Sequence, residues 1–248
     1  MLDDLMKKIE WKNSFIIYIF TAMNTFEIEI KILLGEETNA KSLIEKIHQH
    51  DENTTLINKN SQLNHYFLAE WDFENLTETL KQYIHPDVHQ KLHQIIINGK
   101  NHSIRTREVD GKILFVIKAS VDDTSSSNGT ARIEFEEEIT HLTLNAIDQL
   151  ILDHGFPYQS KWSRDRQEYK YKDYNVCIDK NAGYGYVAEF EKIITDQEQA
   201  EATKEEIRKE LAFLGIEELD QKRLERMFAH YNKHRPKYYG TEKTFIIE

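Results

Sequence analysis

From Thr25 to Leu34 the chain alternates strictly, with Phe26, Ile28, Ile30 and Ile32 at one parity and Glu27, Glu29 and Lys31 at the other. A period of two is the mark of a β-strand with one apolar and one charged face. The same pattern returns along the chain. Arg105 and Arg107 share a parity, as do Arg132, Glu134 and Glu136, then Arg164 and Arg166, then Glu189 and Glu191. Lys118 and Asp179 each close a further run. Any one of these is an ordinary solvated strand face. Repeated in strand after strand, they describe a sheet whose polar face is as demanding as its apolar one.

The other elements follow from local signals. Asn39 is placed to cap a helix carrying Leu43, Ile44 and Ile47. Asn64–Trp71 reads as a second strand, and Asn75–Asn98 as two helices broken at Pro86. Asp110-Gly111 joins His102–Val109 to Lys112–Val121 as a hairpin. After a Ser-rich turn from Asp122 to Gly129 comes the strand Thr130–Ile139, then a helix opening at Thr143. Three strands follow, near Tyr158–Tyr169, Tyr171–Asp179 and Tyr184–Ile194. Two helices carry Ile207, Leu211 and Leu214, then Leu224, Met227, Phe228 and Tyr231, and Thr244–Ile247 is placed as an edge strand. The fold class is α+β.

With 9 Gly and 3 Pro in 248 residues, no linker divides the chain, and residues 23–248 read as one domain behind an extension at 1–22. Lys7, Lys8 and Lys12 precede an apolar run at Phe15–Phe20, but Asp3, Asp4 and Glu10 crowd it and no small-residue cleavage site follows. The run is too short to span a bilayer. A net charge of −11 argues against a nucleic-acid surface. The single cysteine, Cys177, suits a reducing cytoplasm and allows no intrachain disulfide.

A sheet curled with its charged face inward and its apolar face under helices would use all these strands and leave no open edge. Charges crowded into such a lumen are costly unless paired or liganded. A polyphosphate with divalent cations answers both sets at once. Arg and Lys grip phosphate oxygens, and carboxylates hold Mg²⁺ or Mn²⁺. No Gly-rich phosphate loop is present, so side chains must do the gripping.

In order and composition these strands resemble the CYTH superfamily, the triphosphate tunnel metalloenzymes, which groups class IV adenylyl cyclases with thiamine triphosphatases and tripolyphosphatases. Its opening Glu-x-Glu-x-Lys strand is matched by Glu27, Glu29 and Lys31. Gln62–Phe67, Ile104–Arg107, Phe115–Lys118, Arg132–Glu136, Arg164 with Arg166 and Tyr169, Asp179, and Gly185–Glu191 resemble its later strands in the same order. The Leu214-Gly215-Ile216 region resembles the cyclase branch, while Asn75–Asn98 is a longer helical insertion than the family usually carries.

The resemblance implies an eight-stranded antiparallel β-barrel tunnel surrounded by helices, with a C-terminal helical pair. It implies metal ligands among Glu27, Glu29, Glu134, Glu136, Asp179, Glu189 and Glu191. It implies triphosphate contacts from Lys31, Arg105, Arg107, Lys118, Arg132, Arg164 and Arg166, with Lys31 and Arg132 acting catalytically. Lys161 lies at the opposite parity from Arg164, so either could take the family's basic position. The implied cofactor is Mg²⁺ or Mn²⁺ and the implied partner a small triphosphate, with neither nucleic acid nor membrane, and a homodimer as a family expectation. The leading activity is conversion of ATP to cyclic AMP and pyrophosphate. Hydrolysis of tripolyphosphate, thiamine triphosphate or a nucleoside triphosphate is the alternative, and a non-catalytic polyphosphate-binding module the third reading. His85, His89 and His93 recur every four residues but are broken by Pro86, and read as solvated histidines.

Overall fold

The computed structural model describes residues 25–69, 73–120 and 131–247. The extension at 1–22, the Ser-rich turn and the end of the second expected strand lie outside the described residues. Eight strands are present: β1 (Phe26–Gly35), β2 (Thr55–Phe67), β3 (Lys100–Val109), β4 (Lys112–Ser120), β5 (Ala131–Glu138), β6 (Tyr158–Tyr171), β7 (Tyr174–Asn181) and β8 (Gly185–Ile194). Every pairing is antiparallel, and the order β1-β5-β4-β3-β2-β6-β7-β8 closes where β8 pairs with β1. The helices are α1 (Glu37–His50), α2 (Glu74–Leu80), α3 (His89–Asn98), α4 (Leu144–Asp153), α5 (Ala200–Phe213) and α6 (Gln221–His234).

The barrel is inverted relative to one with a greasy interior. Ile28, Ile30 and Ile32 point outward from β1 and pack with Val176, Ile178 and Phe190 beneath Leu43 and Ile47 of α1 and Ile207 and Leu211 of α5. On the other flank, Ile104, Phe115, Ile117 and Phe135 meet Leu76, Leu92, Ile147 and Ile151. Each of these side chains, fully buried, contributes about 1.5–3 kcal/mol. The two clusters therefore hold the helices on and leave the charged parity facing the lumen.

Three local expectations are corrected. Helix α1 begins at Glu37 with Glu36 at its N-cap, and Asn39 instead donates its side-chain amide to Leu34 O at 2.7 Å. Strand β2 starts at Thr55, nine residues before the expected start, because Asn58, Asn60, Gln62 and Asn64 carry its inner face with amides rather than charges. The tail makes one isolated bridge, Gly183 to Thr244, and no strand. Thr143 does cap α4, its hydroxyl accepting from Ala146 N.

The β7–β8 hairpin depends on Gly185. Its φ is +74°, and a Cβ there would sit 2.3 Å from Gly35 O on the neighbouring strand. Gly185→Ala is expected to cost about 2–4 kcal/mol, since neither the backbone conformation nor a backbone oxygen can give way. Urea denaturation checks this, and an unchanged midpoint would contradict the close approach.

Candidate active site

The charged parity of the strands encloses a cavity of about 740 Å³. Glu27, Glu29, Lys31, Arg105, Arg107, Lys118, Arg132, Glu134, Glu136, Arg164, Arg166, Glu189 and Glu191 all line it. Asp179 lies beneath them, 1% exposed. The structure thus brings together every candidate except Lys161. That side chain is on the outer face, with Nζ 4.0 Å from the Tyr158 ring centroid and 3.9 Å from Asp148 of α4. Alternation along β6 turns Arg164 and Arg166 inward for the same reason that it turns Lys161 outward.

The acidic side chains divide by partner. Asp179 accepts from Arg166 Nε at 2.7 Å and from Arg164 at 2.8 Å. Glu136 takes Arg107 at 2.7 Å, and Glu134 takes Lys118 at 2.9 Å. Glu189 pairs with Arg166 at 2.6 Å and Lys31 at 3.1 Å. These carboxylates orient the basic side chains. Glu29 lies directly across the β1–β8 register from Glu191, and with Glu27 their oxygens fall within 4.8 Å of one another. Three hard oxygen donors that close fit a divalent cation of the Mg²⁺ or Mn²⁺ type. Cys177, Glu189 and Glu191 also lie close together, but that group offers a soft sulfur beside two oxygens and suits Mg²⁺ or Mn²⁺ less well. His85, His89 and His93 join none among the described residues.

The electrostatics follow these contacts. Burial favours neutral Glu29, but Lys31, Lys118 and Arg132 outweigh it and hold the acid well below the usual carboxylate range. Burial also opposes ionised Glu189, and Lys31 and Arg166 overcome it. Glu191 accepts from Asn175 at 3.0 Å and, among the described residues, has no ion pair. Burial, with repulsion from Glu27 and Glu189, pushes Glu191 up to about 8. Burial raises Glu27 too, despite Lys118 at 2.6 Å. Carboxylates so destabilised as anions are relieved by a bound cation.

Among the basic residues, Arg105 stands apart. It is 8% exposed, and its buried Nε has no hydrogen-bond partner. Its guanidinium lies 4.7 Å from the Tyr66 ring centroid. Among the described residues it makes neither a hydrogen bond nor an ion pair.

Sequence reasoning missed several lining residues. Asn60, Gln62 and Tyr66 of β2 face the cavity, with Glu168 and Asn175. Gln62 accepts from Arg164 at 2.8 Å, and Asn64 from Arg107 at 2.8 Å. The amide repeat Asn58-x-Asn60-x-Gln62-x-Asn64 was the available signal. Gln221, Leu224, Glu225 and Phe228 of α6 also line the cavity, at helical spacing no strand pattern could reveal.

A family model described as the CYTH domain matches residues 25–223. No curated protein matches the sequence. Among solved structures, a conserved hypothetical protein from Pyrococcus furiosus is similar at 19% identity and TM-score 0.53, covering 77% of this chain and 91% of its own. A protein from Pyrococcus horikoshii OT3 is similar at 20% identity and TM-score 0.53, over 79% and 93%. A "putative adenylate cyclase" from Vibrio parahaemolyticus is similar at 15% identity and TM-score 0.51, over 79% and 93%. These likenesses concern the fold. No helix among the described residues is long and apolar enough to cross a membrane.

Proposed function

Because this chain belongs to the CYTH domain family, we propose that it is a divalent-metal-dependent enzyme acting on a triphosphate inside the barrel, with ATP as substrate and cyclic AMP and pyrophosphate as products. The observation that carries the triphosphate reading is Arg105: a buried guanidinium with an unpartnered Nε, facing a cavity whose other basic side chains are all in ion pairs. A buried cation left this way is matched by an anion from outside the chain. Seven basic side chains face nine acidic ones here, Asp179, Glu168 and Glu225 included, so the lumen has no excess of basic groups before a ligand arrives. A fully ionised triphosphate accompanied by two divalent cations adds little net charge to it; free polyphosphate adds a large negative one. The acidic cluster also weighs against a purely anion-binding module, which gains nothing from carboxylates without metal. The name of the Vibrio protein agrees with the cyclase reading.

A divalent cation would be held by Glu27, Glu29 and Glu191 and would supply Lewis acidity there. The chain's own residues do the rest. Arg105, Arg107, Arg164 and Arg166 hold the phosphate oxygens, each oriented by a carboxylate, an amide or the Tyr66 ring. In the cyclase reaction the ribose 3′-oxygen releases its proton to solvent and bonds to the α-phosphorus as the bond from that phosphorus to the β-phosphate oxygen breaks and pyrophosphate leaves. Lys31, Lys118 and Arg132 meet the charge that collects on pyrophosphate. Purified protein is incubated with ATP, thiamine triphosphate and tripolyphosphate under Mn²⁺ or Mg²⁺, and products are separated. Cyclic AMP with equimolar pyrophosphate is expected. Orthophosphate without a cyclic product replaces the cyclase by a triphosphatase, and no metal-dependent turnover removes both.

A further inference from the structure

Helix α6 is tethered at both ends to strands that are not neighbours. Just before it, Leu219 N donates to Lys31 O of β1 at 2.8 Å. Near its end, Tyr231 OH donates to Lys161 O of β6 at 2.8 Å, and the Tyr231 ring stacks on Trp162 at 3.6 Å. The ring order places β8 and β7 between β1 and β6, so the helix crosses one end of the cavity. It turns Gln221, Leu224, Glu225 and Phe228 toward that cavity.

This wall differs in kind from the charged strand faces. The residues that grip are Arg, Lys, Glu and amides, whereas Leu224 and Phe228 set a half-buried apolar surface on the same space. Phe228 lies nearly parallel to Trp162, at 19° and 6.2 Å. Trp162 is two residues from Arg164 along β6, about 7 Å of strand. Gln221 Nε2 donates to Glu225 Oε1 at 2.9 Å, which puts a polar pair on the same helix face. A flat apolar surface with polar groups beside it, one strand step from a phosphate grip, has the chemistry of a base-stacking platform.

We propose that Phe228 and Leu224 form the contact surface for the base of a nucleoside triphosphate, and so select that class of substrate over bare tripolyphosphate. The proposal rests on the tunnel holding a triphosphate. Its test compares the Kd values of ATP and tripolyphosphate in Mn²⁺ for wild-type protein, Phe228→Ala and Phe228→Leu, with thermal melting as the check on folding. The leucine variant keeps apolar volume and removes only the ring. Loss of one stacked base corresponds to roughly 5- to 150-fold in affinity. The preference for ATP over tripolyphosphate is therefore expected to fall by about that factor in Phe228→Ala, and by less in Phe228→Leu. An unchanged preference in both variants overturns the base platform and leaves the triphosphate reading standing. Failure of the wild-type protein to bind either ligand overturns the triphosphate reading, and the platform with it.

Discussion

Arg105→Ala is expected to weaken binding of metal-complexed tripolyphosphate by about 2–5 kcal/mol, the usual cost of truncating one partner of a buried charge-assisted pair. That is roughly 30- to 4,000-fold in Kd. The size follows from the position. Arg107, Arg164 and Arg166 already spend hydrogen bonds on Glu136, Gln62 and Asp179, but Arg105 lies over Tyr66 with a buried Nε that has no acceptor. It enters the complex without breaking an existing pair. Arg105→Lys keeps the charge and loses the planar fork, so an intermediate loss of about tenfold is expected. Calorimetric titration measures both. Wild-type affinity in Arg105→Ala would mean the grip lies elsewhere in the lumen.

The lumen was legible because charge is conspicuous on a strand. A Glu-x-Glu-x-Lys stretch announces its parity, and parity decides which side chains share a face. Thus Glu27, Glu29, Lys31, Arg105, Arg107, Arg132, Glu134 and Glu136 were identified together and are found together. The amides of β2 obey the same geometry but carry no charge, so Asn60 is not marked out and Gln62 reads only as part of a family-like strand, although it holds Arg164. Lys161 shows the converse. It lies close to Arg164 in sequence, but an odd separation of three positions puts it on the outer face with Asp148.

What each carboxylate does was less legible, for a physical reason. Glu29 and Glu191 look alike along their strands, yet their cross-strand surroundings differ. Glu29 meets Lys31 at 2.7 Å and Arg132 at 3.5 Å, whereas Glu191 meets Asn175 and the other acids. Lys31 lies two residues away on the same strand, but Arg132 and Asn175 come from registers set across neighbouring strands. The crossing of α6 is hidden in the same way, since its amphipathic pattern marks a buried face without saying that part of the face looks into a cavity.

Those surroundings make the carboxylates separable by experiment. Glu27→Gln combined with Glu29→Gln is expected to lower metal-dependent kcat by at least about a thousandfold, on the order of 4 kcal/mol. Tripolyphosphate binding in chelator should be no weaker than in wild-type protein, because the double variant removes negative charge and no basic grip. Stability in chelator should split the group further. Glu29→Gln takes a carboxylate from Lys31, which keeps Glu189 at 3.1 Å, and from Arg132, which has no other ion pair among the described residues, so a cost of about 3–5 kcal/mol is expected. Glu191→Gln removes no ion pair, keeps an acceptor for Asn175 and relieves repulsion from Glu27, so it should be neutral or stabilising. Adding Mn²⁺ should reverse the comparison for Glu191→Gln, because only wild-type protein gains the third oxygen ligand and the ligand-linked stability that comes with it. Urea midpoints with and without Mn²⁺ decide the matter. Equal costs for the two single variants in chelator would show that Glu191 is a structural acid like Glu29, and full activity in the double variant would remove the metal from the reaction.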